Sequence, residues 1–139
     1  MRTITDHIVE GDSANHQLQI IASDALAPDG ANHYYKISGF STGSNESEDA
    51  LARALGDGES GTTLPILFQR GPIKDVGVNG VTHESLLAIV IDRLRAYQKG
   101  PFKCVENELA LQKLEDALWQ LQERTKARMA RGVEGTHEK

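Results

Sequence analysis

The chain has 139 residues, of which 39% are apolar and 25% charged, so it is long enough for one globular domain and too apolar for wholesale disorder. Its net charge of −5 argues against a protein that wraps long DNA or RNA, because such affinity comes largely from many phosphate contacts. The sequence has no apolar run near the roughly 20 residues that span a bilayer, and it has no N-terminal secretory pattern. Its single cysteine suits a reducing compartment. We therefore expect a cytoplasmic protein without membrane contact.

The N-terminal half has the pattern of short strands separated by turns. Residues 18–26 and 34–40 are β-type runs on either side of Ala27-Pro28-Asp29-Gly30, a strong turn signal. Residues 62–68 form another apolar run, and Pro65 within it indicates an edge strand because proline cannot donate to the ladder. These runs predict a small antiparallel sheet.

The C-terminal half is predicted to be helical. Thr82 is placed as an N-cap with Glu84 in the first turn, and this helix must end by Gly100-Pro101. A second helix is predicted from residue 103 or 104 to about residue 131, and the short connection makes the pair an antiparallel hairpin. The second helix carries an apolar stripe at helical spacing, formed by Leu111, Leu114, Leu118, Leu121 and Thr125. Because this helix is roughly 40 Å long, one small sheet cannot cover it, and we expect the uncovered stripe to be buried against another copy of the chain.

Together these elements predict an α+β fold, with a small antiparallel sheet followed by a long antiparallel two-helix hairpin that mediates homo-oligomerisation. The whole chain, residues 1–139, is taken as a single domain. Its parts are a β-rich segment (1–81) with an exposed loop (41–61) and a possible short helix near 49–55, the helical hairpin (82–131) and a glycine-containing tail (132–139).

The sequence lacks an assembled catalytic constellation. The glycine-rich residues 56–61 lack the Lys-Ser/Thr ending of a phosphate loop, and neither a nucleophile-elbow motif nor zinc-ligand spacing occurs. One His-x-Ser motif, His83-Glu84-Ser85, falls at the predicted helix start, where capping explains it equally well. We therefore expect a protein that is not an enzyme and that needs no metal and no cofactor.

The charge distribution favours a small anionic ligand at the C-terminal end. Residues 1–92 contain 5 Lys and Arg against 13 Asp and Glu, a balance of −8, whereas residues 93–139 contain 10 against 7, a balance of +3. Arg124, Arg128 and Arg131 are spaced i, i+4, i+7 on one helix face with no acidic residue between them on that face. Arginine forks suit phosphate oxygens. The alternative is a solvated basic helix end favoured by the helix dipole.

Two further segments could contribute to binding. Gly132 to Thr136 contains two glycines, and such a turn can offer backbone N–H groups and the Thr136 hydroxyl to a ligand, or it is simply a frayed tail. Near the hairpin connection, Tyr97 beside Asn107 suits a stacked, hydrogen-bonded nucleobase, although a packed helix terminus is the alternative reading. Asn107 and Arg124 are 17 residues apart, hence roughly 25 Å, so a small nucleotide that contacts both must lie between protomers packed head to tail.

Five segments of the C-terminal half carry a family resemblance: FQRGPI (68–73), VGVNG (76–80), LLAIVIDRL (86–94), GPFKCVEN (100–107) and RTKARMARGVEGT (124–136). In these motifs, over about residues 65–137, the chain resembles the phage Thoeris anti-defence sponge proteins of the first type, which share a helical hairpin with the phage anti-CBASS sponges. The resemblance implies a protein that sequesters, without cleaving it, the glycocyclic ADP-ribose that bacterial TIR enzymes make on infection. It also implies a hexamer, built from dimers, in the cytoplasm of the infected host. Some members of the family hold cyclic trinucleotides at separate sites as well, so the resemblance leaves open whether this chain does.

By position, the resemblance places the family's base-stacking aromatic, usually Phe, on Tyr97, its polar partner on Asn107 and its phosphate-binding arginine on Arg124. Helical phase and turn chemistry extend the predicted ligand-binding set to Arg128, Arg131, Gly132 and Thr136. Two other hypotheses remain open: an enzyme that hydrolyses the same nucleotides, and a helical interaction module that inhibits a defence protein by direct contact.

Overall fold

The computed structural model describes residues 1–48 and 63–139 of the chain. These residues divide into two compact units, Met1–Leu67 and Phe68–Lys139. The short helix predicted near residues 49–55 and most of the predicted loop 41–61 lie outside the described residues.

The N-terminal unit is an antiparallel sheet. Its four described strands lie in chain order, each paired with its sequence neighbour. They are β1 (Arg2–Ile4), β2 (Gln19–Ala22), β3 (Tyr34–Ser38) and β4 (Thr63–Leu67). Pro65 lies in β4, at the edge of the described sheet, where its missing N–H is tolerated. With the helices that follow, this sheet confirms the α+β prediction.

The connection between β2 and β3 is organised by a carboxylate, which explains why β2 ends earlier than predicted. Asp24 accepts the backbone N–H of His33 at 3.0 Å and that of Tyr34 at 3.1 Å. These bonds, the one from His33 first, lower the pKa of Asp24. A carboxylate with a depressed pKa stabilises the folded state above its unfolded pKa, and this contribution is lost as the pH falls through the folded value.

Gly39 ends β3 because only glycine fits there. Its φ is +91°, and a Cβ built on it would lie 2.0 Å from the carbonyl oxygen of Gln17. We expect Gly39→Ala to lower the free energy of unfolding by about 3 kcal/mol or more, since strain and a backbone clash add. Urea denaturation measures this loss. Gly43→Ala is the matched control, because a Cβ there meets no atom of residues 1–48 and 63–139 within 4 Å. Equal midpoints for the two variants would contradict the expectation.

The C-terminal unit begins with a compact loop held by two amide side chains. Gln69 Oε1 accepts the backbone N–H of Asn79 at 2.8 Å, and Asn79 Oδ1 accepts the N–H of Arg70 at 2.9 Å. A Cβ on Gly80 would lie 2.4 Å from the carbonyl carbon of Phe68, so the two segments touch through backbone. Within this loop lies the short helix α1 (Ile73–Val76).

Two long antiparallel helices follow, α2 (His83–Gln98) and α3 (Val105–Ala130), close to their predicted bounds. Thr82 caps α2 as predicted, in a reciprocal capping box with Ser85. The cross-helix contacts pair the start of α2 with the end of α3 and the end of α2 with the start of α3. They are Glu84 with Arg124, Arg95 with Glu115, and Gln98 with Cys104 and Glu108.

The apolar stripe of α3 is its least exposed face. Leu111 is buried and the other four stripe residues are half-buried, while Ile91 of α2 is 2% exposed. The expectation that this stripe is uncovered is therefore wrong, because its period turns it toward α2. The apolar side chains that are exposed lie on other faces, with Ile89 59% and Trp119 54% exposed.

Candidate functional site

The open end of the hairpin, where α2 begins and α3 ends, presents Arg124 opposite a carboxylate. Arg124 lies near the end of α3, its side chain is 61% exposed, and its guanidinium is 4.0 Å from the carboxylate of Glu84. Next to this pair is a cavity of about 360 Å³, lined by Glu84, Gln122, Thr125 and Lys126. An exposed guanidinium at such a wide ion-pair distance can accept an anionic ligand.

The predicted basic face has acidic partners, contrary to the expectation. Two of its three arginines lie within ion-pair distance of a glutamate, Arg124 with Glu84 at 4.0 Å and Arg128 with Glu134 at 3.7 Å. The reason is tertiary, since the neighbouring helix supplies Glu84 and the folded tail supplies Glu134. Lys126, nearby in the sequence, pairs with Glu123 at 3.2 Å. Repulsion within the cluster is therefore partly offset without a ligand.

Arg128 organises the C-terminal tail. Its guanidinium donates to the carbonyl oxygens of Val133, Thr136 and Glu138 at 2.9, 3.1 and 2.5 Å. The Thr136 hydroxyl donates to the Val133 carbonyl at 2.6 Å. These donors are committed to the chain itself, so the tail is an ordered turn, and the roles of Arg128 and Thr136 in ligand binding stay predictions.

The remaining residues predicted at this end frame the same turn. Gly132 ends α3 with a φ of +73°, a conformation that favours glycine. Arg131 is exposed and donates to the carbonyl oxygen of Lys139 at 2.7 Å. The turn also contacts α1, because the N–H of Lys74 donates to the Gly135 carbonyl at 3.1 Å.

The closed end of the hairpin, where residues 99–104 connect α2 to α3, presents an aromatic pair with a cation. Tyr97 is 41% exposed, and the ring of Phe102 meets it edge-on at 6.2 Å between centroids. Arg93 donates to the Tyr97 hydroxyl at 2.9 Å. Asn107 is half-buried, and its side-chain amide makes no hydrogen bond within residues 1–48 and 63–139. An aromatic face beside a free amide can stack and hydrogen-bond a planar heterocycle.

Arg93 and Phe102 were missed by the sequence reasoning. The signal for Arg93 was its position one helical turn before Tyr97, at i and i+4. Phe102 follows Gly100-Pro101, and its 73% exposure could not be foreseen from its apolar character.

The two ends are not united within one chain. The structure brings Arg124, Arg128, Arg131, Gly132 and Thr136 to the C-terminal end of α3, whereas Tyr97 and Asn107 lie at the closed end. The helix rise separates Asn107 from Arg124 by roughly 25 Å. A shared ligand therefore still requires two protomers, which stays a prediction.

The described residues offer few other sites for chemistry. In residues 1–48 and 63–139, no group of three or more His, Cys, Asp or Glu side chains is placed to hold a metal ion. The Ser85 hydroxyl of the His-x-Ser motif bonds the Thr82 backbone in the capping box. None of the helices in that same part of the chain is both long and apolar enough to cross a membrane.

Comparison with known proteins agrees with this hairpin. Residues 62–126 match the model of the Acb2/Tad1 hairpin domain. The chain is also 50% identical, over 80 residues, to Thoeris anti-defense 1 of Bacillus phage SBSphiJ7. The matched part is 58% of this chain and 56% of that relative, so the chain matches little more than half of the relative's length. The family resemblance predicted from the sequence is confirmed.

Proposed function

We propose that this protein is a phage anti-defence protein that binds and sequesters glycocyclic ADP-ribose without cleaving it, in the cytoplasm of the infected host. The observation that carries the proposal is the hairpin match, residues 62–126, which includes Tyr97, Asn107 and Arg124. A relative named Thoeris anti-defense 1 supports the anti-defence role. We extend the proposal to cyclic trinucleotides as a second ligand class, bound elsewhere on the same assembly.

The chemistry of the exposed side chains suits a ligand with a purine base and a pyrophosphate. Tyr97 offers a stacking surface, Asn107 an amide without a partner in the described chain, and Arg124 an exposed fork for phosphate oxygens. Nanomolar capture needs about −12 kcal/mol, which a stack, several charge-assisted bonds and burial between chains supply. Sequestration requires this affinity and no catalytic group.

The apolar surface of the hairpin supports a homo-oligomer. Ile89 is 59% exposed and Trp119 54% exposed, on helices whose buried residues are Ile91 and Leu111. Exposed apolar surface of this kind is typical of protein interfaces. We propose that a second copy covers it, in a hexamer of the kind that the resemblance implies, and that the closed end of one protomer and Arg124 of another contact one ligand.

A bind-and-release experiment tests the function. The purified protein is incubated with glycocyclic ADP-ribose or, separately, a cyclic trinucleotide, and the free ligand is measured after filtration and again after heating the protein. We expect depletion followed by recovery of the intact ligand. Recovery of an altered product would identify an enzyme, and absence of depletion would favour the direct interaction module.

A further inference from the structure

We propose that Arg93 is a further ligand-binding residue, which holds a phosphate of the nucleotide whose base stacks on Tyr97. This inference rests on the proposed function and deepens it. It makes the closed end of one protomer a half-site that binds both the base and an anionic group, before a second protomer contributes Arg124.

The geometry places a cation beside the aromatic surface. Arg93 and Tyr97 lie one turn apart on α2, and the guanidinium carbon is 5.4 Å from the ring centroid. The hydrogen bond from Arg93 to the Tyr97 hydroxyl, at 2.9 Å, fixes the guanidinium and the ring relative to each other. If a nucleotide stacks its base on this ring, its phosphate would therefore lie close to the guanidinium of Arg93.

The guanidinium of Arg93 keeps most of its donors available. An arginine has five N–H donors, and within the described chain that of Arg93 makes one side-chain hydrogen bond, to a neutral hydroxyl. In residues 1–48 and 63–139 no carboxylate lies within ion-pair distance of it. Arg95, two residues further on, differs because it pairs with Glu115 at 3.1 Å. A ligand can thus bind Arg93 without breaking an internal ion pair.

Phe102 extends the apolar part of the same surface. Its ring is 73% exposed and meets Tyr97 at an interplanar angle of 72°, so the two rings form adjoining walls. Aromatic rings beside an arginine that pairs with no carboxylate of the described residues match a ligand that is flat and apolar at one end and anionic at the other, which is the character of a nucleotide.

Affinity measurements on Arg93→Gln test the assignment, with Arg95→Gln as the matched control. Titration calorimetry with glycocyclic ADP-ribose is run at low and at high salt. We expect Arg93→Gln to weaken binding about tenfold at low salt and to make the affinity less sensitive to salt, because one charge-assisted bond is lost. Arg95→Gln should bind within twofold of the wild type. Equal affinities of wild type and Arg93→Gln at both salt concentrations would overturn the inference alone, whereas no binding by the wild type would overturn the proposed function as well.

Two further measurements separate phosphate binding from a structural role. Adenosine, which has a base and ribose but no phosphate, should bind the wild type and Arg93→Gln equally by NMR titration. If Arg93→Gln instead lost as much affinity for adenosine as for glycocyclic ADP-ribose, the phosphate assignment would be overturned. Arg93→Lys, which keeps the charge, should recover part of the affinity. A lowered melting temperature in Arg93→Gln, without recovery by Arg93→Lys, would show that Arg93 supports the helix and would also overturn the inference.

Discussion

Replacing Arg124 with glutamine is expected to weaken capture of glycocyclic ADP-ribose by about a hundredfold, because truncating one partner of a buried charge pair costs roughly 2–5 kcal/mol. The side chain is 61% exposed in the single chain and 4.0 Å from Glu84, so it is available to a ligand that a second protomer would help to enclose. The measurement is the dissociation constant by calorimetry, together with the bind-and-release yield. The glutamine keeps the helix intact, since its helix propensity is close to that of arginine.

Two control variants make the Arg124 result specific. Arg95→Gln removes the same charge from a residue already paired with Glu115, and it should leave capture unchanged. Glu84→Gln removes the carboxylate that faces Arg124, so it should tighten binding a few-fold at low salt because the ligand no longer competes with an internal anion. An affinity of Arg124→Gln within threefold of the wild type would exclude this arginine from the site.

Replacing Ile91 with alanine is expected to lower the free energy of unfolding by about 2–5 kcal/mol. Ile91 is 2% exposed and lies in the hairpin core, where Leu111 of α3 is also buried, so the truncation leaves a cavity. Denaturant unfolding followed by far-ultraviolet circular dichroism measures the loss. Most of a helix's stability in a protein comes from packing of its apolar face. Ile91→Ala should therefore lose its helical signal at a lower denaturant concentration than the wild type.

Ile89→Ala is the matched control, because it makes the same change two residues away on α2. Ile89 is 59% exposed, so the stability of the isolated protomer should change by less than about 1 kcal/mol. If another copy covers this face, Ile89→Ala should instead reduce the size of the assembly in sedimentation. Equal destabilisation of the protomer by both substitutions would contradict the packing seen in the hairpin.

Several features of the protein follow from local sequence. Three of them depend on the bonding capacity or backbone restriction of a few adjacent residues: the cap at Thr82, the end of α2 before Gly100-Pro101 and the edge position of Pro65. The placement of Arg124 and Arg128 on one face of α3 is also local, because it follows from the helical period. The motifs of the hairpin were also sufficient to predict the family that it resembles, and the match over residues 62–126 bears out this resemblance.

Other features were decided by tertiary structure. The apolar stripe of α3 gave no indication of which surface would cover it, and it is packing against α2 that leaves Ile89 and Trp119 exposed instead. Likewise, Glu84 is 40 positions from Arg124 in the sequence, and only the antiparallel pairing of the helices brings the two charges to 4.0 Å. Periodicity determines which residues share a helix face, whereas the partner of that face depends on how separate segments pack. The sequence by itself therefore determined the hairpin and its surface chemistry. The tertiary fold determined which of the hairpin's charges remain available to a ligand.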